Sequence, residues 1–311
     1  MSAATRRNGA EFILDAAVEV AWAQWHALGA MIGSRHAARA IVDPEALLLL
    51  TLGLEDRERR FRKLLAWWAA TGARLESVQR AKNLAGAYPA AVQEGLSQWA
   101  RQAIERGKDA RWRSIAARRG PPLPALPSDV LTPAAVTTAP TLMLRLRYLF
   151  GVGIKADVLT YLIGLQHRAT IRAVAQATGY HTVAVRRAVE DLVAGRVVRA
   201  MASSPASYLV EFEAWAPLLG LPEAPLWRHW HPIFAFVLAL GAPQPRRAVK
   251  EDSPYLASSR LRELLEAHRA AFDLNALPVP DLADKALHGA GLLDWFDQEA
   301  ENLADRLKGM V

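Results

Sequence analysis

Five side chains at the start of one short segment have the types and spacing needed to read the base edges of duplex DNA. They are His181, Thr182, Val183, Arg186 and Arg187. An arginine can donate two hydrogen bonds to the edge of a guanine, and a threonine can contact the methyl group of a thymine. Such contacts require a helix whose first residues enter the major groove. The chemistry predicted here is recognition by hydrogen bonding, with no reaction.

The segment that carries these residues follows two other segments with helical spacing. We predict helices over 154–165, 170–178 and 182–194. The apolar residues of the last two recur at intervals of three and four, which places them on one face of each helix: Ile171, Val174, Ala175, Thr178, Val185, Val189, Leu192 and Val193. Gly179 lies between the two helices, where the chain must change direction and where glycine adopts a positive φ at little cost. Two short helices joined by such a turn are typical of a helix-turn-helix.

A β-hairpin is predicted directly after the third helix. Gly195 ends the helix, residues 197–201 predict one strand, and residues 208–212 predict a returning strand. The polar residues of this wing, 196–212, that are candidates for DNA binding are Arg196, Arg199, Ser203, Ser204 and Ser207. Basic and hydroxyl side chains near a hairpin tip can bind phosphates or enter a minor groove.

Residues 154–212 resemble the winged-helix domain of bacterial transcriptional regulators of the ArsR and MarR type. The resemblance is carried by the run from Ala173 to Tyr180 and by the run from Val183 to Leu192. It implies a homodimeric repressor bound to an operator near its own operon. Because the chain contains no cysteine, the thiolate metal sensing of one branch of these regulators is not implied.

A second resemblance concerns the N-terminal third of the chain. The runs Asp43–Leu50 and Leu75–Leu84 are similar to winged-helix proteins encoded beside nucleotidyltransferase toxins or phage-defence genes. This implies a cognate toxin or defence protein as a further partner. The three short helices expected over 44–84 have the size of a degenerate winged helix, although no hairpin follows them. A helical bundle with a basic solvated face is an open alternative, with Ser77, Arg80, Lys82 and Asn83 exposed on the third helix.

The composition agrees with a protein that binds an anionic partner. The net charge is +7 over 311 residues, and a basic protein tends to associate with nucleic acid or anionic surfaces. The absence of cysteine excludes disulfides, zinc sites with cysteine ligands and thiol catalysis. Acidic residues near the N-terminus argue against a signal peptide, and the longest uncharged apolar run, near 232–240, is too short to span a membrane. We therefore expect a cytoplasmic protein with no membrane partner.

The chain is predicted to be mainly α-helical, with a winged helix-turn-helix domain flanked by helical regions. We expect a helical N-terminal domain over 1–119, a proline-rich linker over 120–140, the winged helix over 141–215, and a helical C-terminal region over 216–311. The last helix, about 291–307, is acidic and amphipathic. Such a terminal helix favours packing on a partner, so we assign dimerisation or partner binding to this region.

The sequence contains no motif that is typical of an enzyme. The phosphate-binding loop, the dinucleotide-binding glycine pattern and the nucleophile elbow are absent from the sequence. His229 and His231 form the best metal candidate, but they precede a proline in a helical region with no evident third ligand. We therefore expect no catalytic residue, no cofactor and no metal.

Two functions remain open at this point. The first is a dimeric repressor that recognises an inverted-repeat operator in double-stranded DNA through the helix 182–194 and the wing 196–212. The second is a protein-interaction module, an antitoxin or a scaffold, whose winged helix binds another protein.

Overall fold

The computed structural model describes residues 9–30, 38–120, 136–242, 253–284, 287 and 289–311. Over these residues the protein is mainly helical, with fourteen α-helices and a small three-stranded sheet. The first seven helices are α1 (Gly9–Ala27), α2 (Pro44–Gly53), α3 (Arg60–Thr71), α4 (Val78–Ala85), α5 (Ala90–Glu105), α6 (Leu142–Phe150) and α7 (Ile154–Leu165). The others are α8 (Ile171–Thr178), α9 (Thr182–Ala194), α10 (Phe212–Leu219), α11 (Trp230–Gly241), α12 (Pro254–Ala267), α13 (Arg269–Asp273) and α14 (Ala290–Gly309).

Several helices begin at side chains that satisfy the free backbone N–H groups of the first turn. Asp43 accepts a hydrogen bond from the backbone N–H of Ala46 and is followed by Pro44, the residue type best tolerated at a first helical position. Thr170 caps α8 through the N–H of Ala173. These local signals explain why the predicted starts of α2 and α8 lie close to the observed ones.

The N-terminal and C-terminal helices share one hydrophobic core. The inward face of α14 contributes Leu292, Phe296, Ala300 and Leu303, which are buried together with residues of α1, α2, α3, α5, α11 and α12. Gly9 of α1 approaches so closely that an added β-carbon would lie 2.9 Å from that of Ala300. The apolar stripe of the terminal helix is therefore covered within the chain, which differs from our expectation that it packs on a partner.

A second core lies under the small sheet. It is formed by the buried faces of α6, α7, α8 and α9 together with Trp215, Leu219 and Trp227. Because α10 extends from Phe212 to Leu219, it crosses the domain boundary expected after residue 215. The predicted returning strand is also shorter than expected, since α10 begins where that strand was predicted to end.

The sheet consists of β1 (Ala169–Thr170), β2 (Arg199–Met201) and β3 (Ser207–Leu209), in the order β1-β3-β2 with antiparallel pairing. Ala200 pairs with Tyr208, which also pairs with Ala169 on its other side. The hairpin predicted after the third helix is thus joined by a short strand between α7 and α8 that the sequence pattern did not indicate.

Residues 44–84 contain α2, α3, a short 3-10 turn and most of α4, and no strand is present within this range, all of which the structure describes. The linker predicted over 120–140 lies mostly outside the described residues, which resume at Val136. In the described part of the chain, no helix has both the length and the apolar character needed to cross a membrane.

Candidate nucleic-acid interface

The third helix of the central unit, α9, presents the residues predicted to read bases. Its inward residues Val185, Ala188, Val189 and Leu192 are buried against α7 and α8. The residues on its other face and at its start are exposed to solvent: His181, Thr182, Val183, Arg186 and Arg187. Val183 is 64 % exposed, a high value for a branched apolar side chain at the first turn of a helix. The N-terminal half of α9 is accordingly a free surface of this chain.

Gly179 forms the turn that sets the direction of α9. Its φ is +73°, and its N–H donates to the carbonyl of Ala175 at 2.9 Å, which closes the end of α8. A β-carbon at this position would lie 2.5 Å from Leu84 Cδ2, closer than real contacts allow. The positive φ therefore favours glycine here, and a larger residue would also displace the side chain of Leu84.

Helix α4 is bound to this turn by two further hydrogen bonds. Arg80 Nε donates to the carbonyl of Thr178 at 2.6 Å, and Asn83 Nδ2 donates to the carbonyl of Gly179 at 2.9 Å. Our expectation that Arg80 is exposed is wrong, because its side chain is fully buried. Ser77 is buried as well, whereas Lys82 is exposed as expected. The turn before α9 is thus fixed by hydrogen bonds from α4.

Behind the turn lies a buried ionic cluster formed by Asp43, Glu45, Arg80, Arg147 and Asp157. Arg80 binds both oxygens of Asp43 at 2.5 Å and Glu45 at 2.6 Å. Arg147 binds Glu45 at 2.7 Å and Asp157 at 2.8 Å. Every side chain of the cluster is at most 2 % exposed. Buried charges of this kind persist only when each is paired and hydrogen-bonded.

The protonation of the carboxyl groups around the cluster follows from their neighbours. Burial by itself would raise the pKa of Glu45, but the charges of Arg147 and Arg80 outweigh it and lower the pKa to about 2. Burial raises the pKa of Glu76 well above its ordinary value, and the nearby charge of Glu45 adds to that effect. Glu76 accepts a hydrogen bond from Trp68 Nε1 at 2.6 Å. Glu45 is therefore ionised within the cluster at neutral pH, and Glu76 beside it is shifted toward its protonated form.

Tyr180 connects the cluster to the residue that precedes α9. Its hydroxyl donates to Asp157 Oδ2 at 2.8 Å and lies 3.1 Å from the hydroxyl of Ser77. Burial, with the charge of Asp157 as a second cause, raises the pKa of Tyr180. His181, the residue before α9, follows Tyr180 directly in the chain. The position of the start of α9 is therefore fixed both by the contacts of the Gly179 turn with α4 and by the hydrogen bond of Tyr180 to Asp157.

The predicted wing residues divide into two groups. Arg196, Arg199, Ser203 and Ser204 are exposed, and Arg199 forms an ion pair with Glu211 at 2.7 Å. Ser207 does not fit the predicted role in phosphate binding, because it is buried as the first residue of β3. Its hydroxyl lies 2.8 Å from that of Ser203 and is used within the hairpin.

The basic side chains on the exposed surface of α7, α8 and α9 differ in whether an acidic side chain pairs with them. Lys155 pairs with Asp191, in the last turn of α9, at 2.8 Å. Arg186, Arg187 and Arg172 of α8 are exposed, and within the described part of the chain no acidic side chain pairs with them. The free positive charge is therefore concentrated toward the N-terminal half of α9, where a polyanion would make contact.

His229 and His231, the metal candidates, make contacts within the protein. His231 Nδ1 lies 3.3 Å from the hydroxyl of Tyr88, and the backbone of His229 binds Asn275. Burial lowers the pKa of both histidines to about 4. Within the described ranges, no group of three or more His, Cys, Asp or Glu side chains is placed to hold a metal ion.

Sequence reasoning missed the ionic cluster, although one signal was present. Glu45 precedes a run of four leucines, Asp157 lies in the otherwise apolar segment of α7, and Arg147 follows a series of apolar residues. A charged residue within a strongly apolar helix indicates a buried partner elsewhere. The identity of that partner could not be deduced, since Arg147 and Glu45 are 102 positions apart.

Comparisons with known proteins add no family to these observations. No protein-family model, no curated protein and no solved structure matches this chain. The geometry and charge of the central unit are therefore the features that indicate a function for this chain.

Proposed function

We propose that residues 154–212 form a winged helix-turn-helix that binds double-stranded DNA, and that the protein is a dimeric repressor of transcription acting at an inverted-repeat operator. One observation carries the proposal: the outer face of the N-terminal half of α9 is exposed and carries Arg186 and Arg187, which pair with no acidic side chain among the described residues, while the inner face is buried. A helix that packs on the protein through its inner face and carries arginines on its exposed face has the properties of a helix that enters the major groove.

The order of the elements supports this proposal. Helix α7, strand β1, helices α8 and α9, and the hairpin of β2 and β3 follow one another along the chain. Strand β1 pairs with β3, which attaches the hairpin to the helical unit. A hairpin held beside a third helix is positioned to contact the phosphate backbone while that helix contacts bases.

The buried cluster supports the proposal through rigidity. Arg80, Asn83 and Tyr180 hold the turn before α9 through hydrogen bonds to its backbone and side chains. A surface that is already ordered before binding loses less conformational entropy when a ligand binds. The base-reading helix therefore needs little rearrangement to bind DNA.

Each residue has a proposed role. Arg186 and Arg187 bind base edges or phosphates, and His181, Thr182 and Val183 contact bases or backbone at the start of the groove. The wing contributes Arg196 and Arg199, with the hydroxyl of Ser204 on a phosphate. The hydroxyl of Ser203 donates to the carbonyl of Pro205 at 2.9 Å and would have to turn away from it to bind a phosphate. Ser207 has no part in this interface, because its hydroxyl is buried.

The test is DNA binding by the full-length protein and by Arg186→Ala/Arg187→Ala. Fluorescence anisotropy with DNA from upstream of its own gene, against random DNA as competitor, should show a loss of about 1–3 kcal/mol for each base contact removed. The logarithm of the binding constant should fall with the logarithm of salt concentration by roughly 0.9 for each phosphate neutralised. Arg59→Ala/Arg113→Ala removes two exposed arginines far along the chain from α9 and should bind like wild type. Equal affinity of the two double variants would refute this assignment.

One exposed apolar side chain is available for a second candidate function. Val183, in the first turn of α9, is 64 % exposed. A protein partner, such as a cognate toxin or defence protein, would bury this side chain. A one-to-one complex that Val183→Asp abolishes, together with no shift of DNA at moderate salt, would select this function.

A further inference from the structure

Helix α4 belongs to the N-terminal helices but borders the surface of α9 to which DNA binding is assigned. Asn83 of α4 is half-buried and donates to the carbonyl of Gly179, two residues before His181. The Cα atoms of Gly179 and His181 are at most about 7.6 Å apart, because two peptide units join them. The exposed side of α4 and the exposed start of α9 therefore meet at the Gly179 turn.

The exposed side of α4 carries hydrogen-bond donors that remain available. Gln79 is exposed and lies four residues before Asn83, on the same helix face, and its Nε2 donates to Asn83 Oδ1 at 2.8 Å. Because an amide nitrogen carries two hydrogens, this contact leaves one N–H of Gln79 free. Lys82 is exposed as well, and among the described residues it has no ion-pair or hydrogen-bond partner. An anion beside α4 could therefore accept hydrogen bonds from both side chains.

Acidic side chains are absent from both segments that meet at this turn. The sequence contains no Asp or Glu from 77 to 93, which includes all of α4, and none from 158 to 189, which includes α8 and the N-terminal half of α9. The acidic residues that directly precede these two segments, Glu76 and Asp157, are buried. A surface that combines basic side chains with a lack of acidic ones is complementary to a polyanion.

We propose that α4 binds the sugar–phosphate backbone of the same DNA whose major groove α9 enters, through Lys82 and Gln79. The major groove is about 12 Å wide, so phosphates lie along both sides of a helix within it, where an element that borders the start of that helix can reach them. Lysine and glutamine side chains are both common donors to phosphate oxygens. The inference rests on the proposed function and extends it, since residues 44–84 then contribute to the interface without forming a winged helix of their own.

The expected contribution of α4 differs from that of α9. Contacts to phosphates carry no direct information about sequence, whereas contacts to base edges do. Loss of the α4 contacts should therefore weaken binding to operator and random DNA by the same factor. Loss of Arg186 and Arg187 should instead reduce the preference for the operator.

The experiment measures fluorescence anisotropy of the full-length protein with a duplex from upstream of its own gene and with a random duplex. For each subunit bound, Gln79→Ala/Lys82→Ala should weaken binding to both duplexes by about eightfold at 0.1 M salt and lower the salt slope by about 0.9, because one phosphate is no longer neutralised. Lys63→Ala/Gln298→Ala removes the same residue types from exposed positions on α3 and α14 and should bind like wild type. Equal affinity and equal salt dependence of the two double variants would overturn the proposal.

A gain of binding distinguishes a phosphate contact from damage to α4. Gln79→Lys adds a cation where α4 borders α9, so it should strengthen binding to both duplexes and raise the salt slope by about 0.9 for each subunit. Gln298→Lys adds the same charge on α14 and should leave both quantities unchanged. If Gln79→Lys binds no more tightly than Gln298→Lys, α4 does not contact the DNA.

This inference and the proposed function fail in different ways. DNA binding that depends on Arg186 and Arg187 but not on the substitutions in α4 would overturn the inference and leave the proposed function in place. A wild-type protein that binds neither duplex at low salt would overturn both.

Discussion

Arg147 lies between Glu45 and Asp157 and is fully buried with both. Its guanidinium also donates to the backbone carbonyl of Leu75 at 2.7 Å, so it holds three segments that are distant in sequence. Removal of one member of such a cluster leaves an uncompensated charge in the interior. At the scale of single residues, the stability of this protein therefore depends strongly on a few charged side chains.

We predict that Arg147→Met lowers the free energy of unfolding by about 3–5 kcal/mol, because buried Asp157 loses its ion-pair partner and buried Glu45 keeps only Arg80. Urea unfolding at pH 7 measures the effect. Arg62→Met is the matched control, since Arg62 forms an ion pair with Asp56 at 2.7 Å on the surface and should change stability by less than about 1 kcal/mol. Similar losses in the two variants would show that the cluster does not contribute as described.

The two packed histidines predict a loss of stability in mild acid. Burial lowers the pKa of His229 and His231 to about 4, from an ordinary value of 6.5. Between these values the unfolded chain binds more protons than the folded chain, so the free energy of unfolding falls as the pH is lowered from 6.5 to 4. His231→Gln should make this decrease shallower in urea unfolding at pH 7, 6 and 5. If the free energy of unfolding depends on pH equally in the wild type and in His231→Gln, His231 does not contribute to the acid sensitivity.

At the scale of elements, the turn between α8 and α9 is where α4 of the N-terminal helices contacts the central unit. Gly179 has a φ of +73° and lies against Leu84 of α4, so an added methyl group meets backbone strain and must displace the end of the Leu84 side chain. The same turn sets where α9 begins. A change at this glycine should therefore affect both stability and the direction of the exposed helix.

We predict that Gly179→Ala destabilises the protein by about 1–3 kcal/mol, from the left-handed conformation and the displaced Leu84. Thermal unfolding followed by circular dichroism measures this. Gly86→Ala is the control, because Gly86 has a φ of −62° and nothing within 4 Å of an added β-carbon. A Gly179→Ala protein as stable as Gly86→Ala would mean that the turn tolerates a side chain.

The elements also show how far local patterns predict structure. The starts of α7 and α9 were predicted at the residues where they begin, because their apolar spacing and the glycine between α8 and α9 are local signals. Strand β1 has only two residues and is defined by its pairing with β3, so no local pattern could indicate it. The end of the hairpin was misplaced because Phe212 starts a helix rather than continuing a strand.

At the scale of the whole molecule, two cores are joined through the ionic cluster. One core unites the two ends of the chain, and the other lies under the sheet. The cluster joins α2 and α4, which pack on the first core, to α6 and α7, which belong to the second. We therefore expect the two cores to unfold together.

We predict that Leu303→Ala in the first core and Val189→Ala in the second lower the midpoint of one common unfolding transition. Leucine truncation in a core costs about 2–5 kcal/mol, and a valine truncation costs less because it removes fewer carbons. Tryptophan fluorescence and far-ultraviolet circular dichroism should report the same midpoint. Gln298→Ala, at an exposed position on α14, is the control. Two separate transitions in either core variant would show that the cores are independent.

The sequence by itself determined the helical class, the order of helices and hairpin from 154 to 212, and the cationic residues at the start of α9, because each depends on neighbours along the chain. Only the tertiary structure decided that Arg80 and Arg147 are buried and that Ser207 faces inward. It also decided that the stripe of α14 is covered by α1. Whether a charge or an apolar face is buried depends on segments far apart in sequence, such as Gly9 and Asp297, which lie 288 positions apart and form a hydrogen bond. Periodicity shows which face of a helix will be covered, and only the packed chain shows what covers it.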